Sequence, residues 1–199
     1  ANIGDYKKED SSFLSEFGLQ APPVRASVDE FIPRENQWPI APKWPYVMME
    51  YSYMRAEEMD TVRRLTPGGP RLANAEIWTY HDAQLMKIFR YARQAGFDDL
   101  GSFIEASQKM QAHGLQTAVE HMRRRKYEAG GVMFWQLNEP WPSVCWSVID
   151  YYLRPKAAYC KIKQVFNPVL LSLDFEYRHY EADSEFAARA FLVNPRILL

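Results

Sequence analysis

A chain of 199 residues is long enough for one domain, or for one and part of a second. Hydrophobic residues at 47% and charged residues at 25% are ordinary for a globular protein, and a net charge of -1 gives neither nucleic acid nor an anionic membrane an electrostatic reason to bind. No apolar run approaches the roughly 20 residues that a membrane-spanning helix needs, and no signal peptide is visible, so neither nucleic acid nor membrane is expected as a partner.

Aromatic residues make up 15% of the chain, with six Trp and twelve Tyr. That density serves a large core or a stacking surface for sugars or bases, and a core is the commoner use. Cys145 and Cys160 have no metal-ligand spacing and form no CxxC. They read as buried thiols, with a disulfide between them left open. His81, His113, His121 and His179 form no metal cluster by spacing, since His113 and His121 stand eight residues apart rather than four. No metal or other cofactor is expected. A start at Ala1 rather than Met leads to the expectation of a processed or excised chain.

In chain order, residues 1–10 read as a polar loop. Residues 12–18 form a short strand candidate that carries Glu16 to its end, where Gly18 breaks it. Residues 20–46 are Pro-rich and contain Trp38 and Trp44, which limits them to an ordered aromatic loop with a helical turn near residues 27–31. Residues 46–64 read as helix, stopped by Thr66-Pro67-Gly68-Gly69-Pro70. Helical periodicity returns over residues 74–95 and ends at Gly96, a residue suited to the turn after a helix. Tyr80, His81 and Asp82 in this stretch read as helix surface rather than as part of a binding site. A second amphipathic helix begins near Asp98, which reads as its N-cap, and a break in it is expected at Gly114. The basic run over residues 123–126 suits the helix's C-terminal dipole and otherwise reads as solvated surface.

The run from Gly131 to Leu137 is apolar on both faces (Val132, Met133, Phe134, Trp135, Leu137), as a parallel strand covered on both sides requires. It stops at Asn138-Glu139-Pro140-Trp141-Pro142. Barrels of alternating strands and helices present chemical groups from such strand ends. The plain alternative is a buried strand followed by a Pro-rich turn with no chemistry. Residues 155–166 read as a helix with Pro155 near its first turn. Two β-type runs follow, residues 169–175 and 186–193, separated by an acidic stretch, as in the opening hairpin of a β-sandwich. Two barrel-type strands do not make a barrel, so the chain reads as a piece of a larger architecture.

Two stretches carry a family resemblance. Ser15-Glu16-Phe17-Gly18-Leu19-Gln20 is one, and the long block from Phe134-Trp135-Gln136-Leu137-Asn138-Glu139-Pro140-Trp141 through Trp146-Ser147-Val148-Ile149-Asp150-Tyr151-Tyr152 is the other. Together with Arg154-Pro155-Lys156-Ala157 and the segment from Phe166 to Ser172, they resemble glycoside hydrolase family 2, most of all its β-mannosidase branch. The resemblance implies an α/β fold: strands seven and eight of a (β/α)8 TIM barrel with a long helical insertion, then the beginning of an immunoglobulin-like β-sandwich. The implied division is 1–166 for the C-terminal part of the catalytic barrel and 167–199 for an incomplete β-sandwich domain.

The same resemblance implies a retaining exo-β-glycosidase acting on terminal β-linked sugars, with Glu16 as nucleophile. Retaining hydrolysis uses two carboxyls about 5–5.5 Å apart, one attacking the anomeric carbon and one protonating the leaving oxygen. In family order the proton donor ends strand four, outside this chain. Glu139, though part of an Asn-Glu-Pro, follows Glu16 in the sequence and matches strand eight; it is not expected to be the donor. Trp135 is expected to wall the sugar subsite, with a core Trp as the alternative, and Asn138 and Trp141 are weaker rim candidates for substrate contact. The expected partners are a carbohydrate substrate and either the remainder of the same polypeptide or a second copy of the chain. By itself the chain is expected to have little activity. The rival reading is a non-catalytic carbohydrate-binding or scaffold piece that associates with another chain.

Overall fold

The computed structural model describes residues 3–38, 40, 78, 83–176 and 180–194. The expected helix over residues 46–64, most of the 74–82 stretch, His81 and His179 lie outside the described residues. A 3-10 helix, Ile3–Lys8, replaces the expected N-terminal loop and leads into strand β1, Phe13–Leu14. Helix α1 spans Arg25–Phe31, close to the turn expected there. Helix α2, Leu85–Ala92, is followed by Gly96 at φ +75°, a left-handed conformation that costs glycine little.

Helix α3, Leu100–Arg124, is the long scaffold of the molecule. Its N-cap is Asp99, one residue later than expected: the Asp99 carboxylate accepts from Ser102 N at 2.7 Å, and Ser102 Oγ reaches back to accept from Asp99 N at 3.0 Å. This reciprocal pair satisfies two of the donors that a helix start leaves free. The expected break at Gly114 does not occur. A Cβ there would meet Leu19 Cδ1 at 2.0 Å, so this glycine serves close packing rather than a kink.

Strand β2, Gly131–Val132, pairs in parallel with β1 in the register Phe13 to Gly131 and Leu14 to Val132. Helix α4, Ala157–Val165, then packs beside α3. Its side chains Ala158, Ile162 and Val165 close one core with Leu115 and Val119 of α3 and with Leu14, Val132 and Phe134 of the strand segments. A second core joins α1, α2 and the first turns of α3 through Val28, Ile88, Phe89 and Phe103, with the fully buried Trp78. Strands β3, Leu170–Asp174, and β4, Arg189–Val193, form the expected antiparallel pair.

Two expectations need correction. Among the described residues the β1–β2 pair is covered on one face only: Phe13 of β1 and Met133, Trp135 and Leu137 beyond β2 are each about half exposed, from 47% to 54%. The basic run is not solvated surface either. Arg123 donates to the carbonyls of Val165, Asn167 and Pro168, which end α4 and lead to β3. The Arg124 side chain, 7% exposed, lies against Glu120 and Ser172, and Arg125 holds the carbonyls of Glu9, Asp10 and Ser11 ahead of β1. Carbonyls left over at helix and strand ends are thus met by guanidinium donors. Among the described residues no helix is long and apolar enough to cross a membrane.

Candidate active site

Hydrogen bonds continue the parallel ladder past the ends of β1 and β2. Gly130 N donates to Ser12 O at 2.6 Å, Met133 N to Leu14 O at 2.9 Å, and Trp135 N to Phe17 O at 2.7 Å. Between the last two bonds the second strand advances two residues and the first advances three. The first strand therefore carries one extra residue at Ser15-Glu16, a local bulge of the kind that re-aims a side chain. Leu14 and Phe17 both face the helix-covered core despite their odd spacing, because the extra residue lies between them. Alternation from Phe17 turns Glu16 away from the helices, as alternation from Phe134 turns Trp135. Both are exposed, on adjoining strand ends.

Gly18 makes this juncture possible. A Cβ on it would stand 2.3 Å from the Trp135 carbonyl oxygen and 2.8 Å from Trp146 Cδ1. The Trp135-Gln136 peptide is cis. Beyond it the chain doubles back: Val148 N donates to Gln136 O at 3.1 Å and Ile149 N to Leu137 O at 2.8 Å. Asn138 bridges to Ile149 and is exposed, and Trp141 is 47% exposed on the same loop. The backbone segments that carry Glu16 and Trp135 therefore meet at one edge, whereas Asn138 and Trp141 belong to the loop beyond it. Glu139 is buried, and one of its carboxylate oxygens accepts from Gln136 Nε2 at 2.8 Å.

Two residues the sequence reading did not single out hold this edge together. Gln111, in the middle of α3 and 1% exposed, directs Nε2 at Leu19 O (2.8 Å), Trp146 O (3.0 Å) and Ser147 O (3.2 Å). Lys156, the N-cap residue of α4, extends Nζ to Ala21 O (2.9 Å) and Cys145 O (3.0 Å). The available signals were an amide on the apolar face of an amphipathic helix and a lysine directly after a proline at a helix start. Burial pushes the Lys156 ammonium down from its ordinary pKa, opposed by Cys145, Asp150 and Glu139 nearby. Burial likewise pushes the Cys145 thiol up, with Lys156 opposing. Both cysteines are free, and Cys160 is exposed rather than buried. Asp150 accepts from Ser27 Oγ at 2.6 Å and from the Tyr152 and Arg154 amides at 3.0 Å, which fixes the turn into α4.

A parallel strand pair under two helices, with a carboxylate and an indole at its C-terminal ends, is the geometry of an α/β segment that presents a site at its strand ends. No family model matches the chain. It is 31% identical over 167 residues to β-mannosidase B of Thermothelomyces thermophilus, covering 81% of this chain and 17% of the relative. It is 28% identical over 171 residues to β-mannosidase B of Aspergillus niger, covering 84% and 17%. The fold matches the crystal structure of a β-D-mannosidase from Dictyoglomus thermophilum with a TM-score of 0.63 and 24% identity, over 98% of this chain and 24% of that one. This is a β-mannosidase-like sequence of glycoside hydrolase family 2. The chain spans about a sixth of the length of the curated relatives it matches, 17% in each case.

Proposed function

We propose that this chain is the C-terminal part of the catalytic barrel of a retaining exo-β-glycosidase of β-mannosidase type, with the start of a β-sandwich domain from residue 167. Glu16 attacks the anomeric carbon, and Trp135 faces the apolar side of the pyranose ring in the subsite for the cleaved sugar. Asn138 and Trp141 line the rim. The proton donor comes from a strand outside residues 1–199, so the isolated chain has little activity; a general acid contributes on the order of 10²–10⁴-fold. One observation supports the reading: Trp135 N donates to Phe17 O at 2.7 Å, which joins the backbone segments that carry Glu16 and Trp135, both of them exposed.

The barrel's remaining strands supply what this segment lacks. The exposed face of Phe13, Met133, Trp135 and Leu137 supports that completion, since a barrel interior is packed with side chains rather than open to water. The same face supports the second reading, a scaffold or carbohydrate-binding piece that joins another chain through its open strand edges. Hydrolysis of aryl β-mannoside and β-galactoside separates the two. The longest reading frame that contains this chain should turn over the mannoside and lose turnover on Glu16→Ala. No turnover of any β-glycoside by that protein removes the enzyme reading and leaves the scaffold.

A further inference from the structure

Lys156 is 1% exposed, and its ammonium ends between two backbone carbonyls, Ala21 O at 2.9 Å and Cys145 O at 3.0 Å, with Cys145 Sγ at 3.8 Å. Those carbonyls belong to the two segments that carry the candidate site. Ala21 lies on the continuation of the segment bearing Glu16, and Cys145 lies on the loop that follows Trp135, Asn138 and Trp141. Ala21 N also donates to Cys145 O at 3.1 Å, so one carbonyl receives both an amide and the ammonium.

Taking an ammonium out of water is costly, and a methionine of similar length would fill the same space without that cost. What a methionine cannot do is hold two carbonyls at fixed separations. The need for such a tie follows from the bulge. Ser15-Glu16 stands outside the regular ladder, so the position of the Glu16 carboxylate depends on how firmly residues 17–21 are anchored. Besides Ala21 N to Cys145 O, Tyr6 Oη to Gly18 O and Gln84 N to Gln20 Oε1, three bonds to their carbonyls anchor them: Phe17 O to Trp135 N, Leu19 O to Gln111 Nε2, and Ala21 O to Lys156 Nζ. The third also grips the loop after Trp135 and is set by α4, whose backbone enters from Val148 through the bond Lys156 N to Val148 O at 2.9 Å.

We propose that Lys156 is a positioning residue of the glycosidase: its buried ammonium locks the Glu16 segment to the loop following Trp135 and thereby holds the nucleophile at attacking distance from the sugar. This rests on the reading of Glu16 and Trp135 given under Proposed function. Lys156 touches no substrate and acts only through the backbone at Ala21 and Cys145. Misplacing a nucleophile by an ångström costs about 100-fold in rate.

The test uses the longest reading frame containing this chain, as wild type, Lys156→Met, Lys156→Arg and Glu16→Ala. Active sites are counted by stoichiometric trapping with 2-deoxy-2-fluoro-β-mannosyl fluoride, and turnover on aryl β-mannoside is expressed per trapped site. Lys156→Met is expected to lower kcat per site, and the saturating rate of trapping, by roughly 10–100-fold with KM little changed. Lys156→Arg keeps the charge but displaces the donor, and is expected to fall between wild type and Lys156→Met. If the methionine variant yields fewer trappable sites but wild-type turnover at each, Lys156 is merely structural and the proposal is overturned. If Lys156→Met does not fold, wild-type turnover per site in Lys156→Arg overturns it as well; if neither variant folds, Lys156 is a folding residue and the proposal falls. An inactive wild type, or an active Glu16→Ala, overturns the glycosidase reading itself. Loss in Glu16→Ala beside full per-site activity in Lys156→Met overturns only the positioning role.

Discussion

At Gly18 a methyl group would meet the Trp135 carbonyl oxygen at 2.3 Å and Trp146 Cδ1 at 2.8 Å; at Gly114 it would meet Leu19 Cδ1 at 2.0 Å. The two obstructions differ in kind. The first is backbone held in a strand ladder, which yields only by moving the strand. The second is the end of a side chain, which yields by changing rotamer within the small core of Ile3, Leu19, Tyr91 and Met110. Overpacking costs about 1–3 kcal/mol, and alanine in a helix interior recovers about 1 kcal/mol over glycine. Gly18→Ala should therefore lower stability by about 3 kcal/mol or more and displace Trp135. Gly114→Ala should lower it by about 1 kcal/mol. Urea denaturation of the two variants checks the order, and equal stability losses would contradict it. The sequence made Gly18 legible as a breaker after Glu16. The partner it must avoid, Trp135, lies far along the chain, and nothing local reports that approach. Gln111 and Lys156 were hidden for a related reason. Each acts on carbonyls of distant segments, and a helix position reports its own face but not what lies opposite.

Where α3 meets β3, Arg124 and Glu120 form an ion pair at 3.6 Å with side chains 7% and 9% exposed. Ser172 Oγ lies 2.5 Å from Glu120 Oε2 and 2.8 Å from Arg124 Nη1, and Gln116 Nε2 donates to Glu120 Oε1 at 2.6 Å. At the edge of this network Asp174 takes Lys7 at 3.0 Å and Arg189 at 2.7 Å. Burial acts to raise its carboxyl pKa, but those two cations and Arg124 hold it below the ordinary value. Removing one member of a buried pair costs about 3–5 kcal/mol, because the other charge is left without its partner. Arg124→Met is therefore expected to destabilise the protein by about 3 kcal/mol, and Glu120→Gln added to it should restore part of the loss. Additive losses in that double-mutant cycle would show that the two side chains do not act as a pair. The elements themselves were largely readable: the 3.6-residue periodicity of α3 and the change to β-type runs after residue 167 correspond to observed structure, whereas the apolar run before Asn138 is strand only over Gly131–Val132. Helix dipole and solvent suffice to explain four cations locally, whereas their distant partners lie at residues 9–11 and 165–174 and, for Lys126, at Asn194.

Over the whole molecule, one face of the β1–β2 pair is sealed by α3 and α4, and the other shows Phe13, Met133, Trp135 and Leu137 to water. The apolar sequence of residues 131–137 was readable as a strand meant for cover on both sides. Which side would be covered was not, because the parity of a strand follows from its partners. A flat apolar face with open strand edges invites pairing. The isolated 199-residue chain is expected to self-associate in sedimentation experiments, and Met133→Lys with Leu137→Lys is expected to shift it toward monomer; a wild-type chain that stays monomeric at high concentration would contradict this. The proposed hydrolysis turns on Glu16. The measurement that reaches it most directly is peptide mapping of the longest reading frame after trapping with 2-deoxy-2-fluoro-β-mannosyl fluoride. The fluorosugar is expected to be esterified to Glu16, in the peptide that contains Ser15 and Phe17. A label on Glu139 or another carboxylate, or a protein that hydrolyses β-mannoside and accumulates no covalent intermediate, would contradict it.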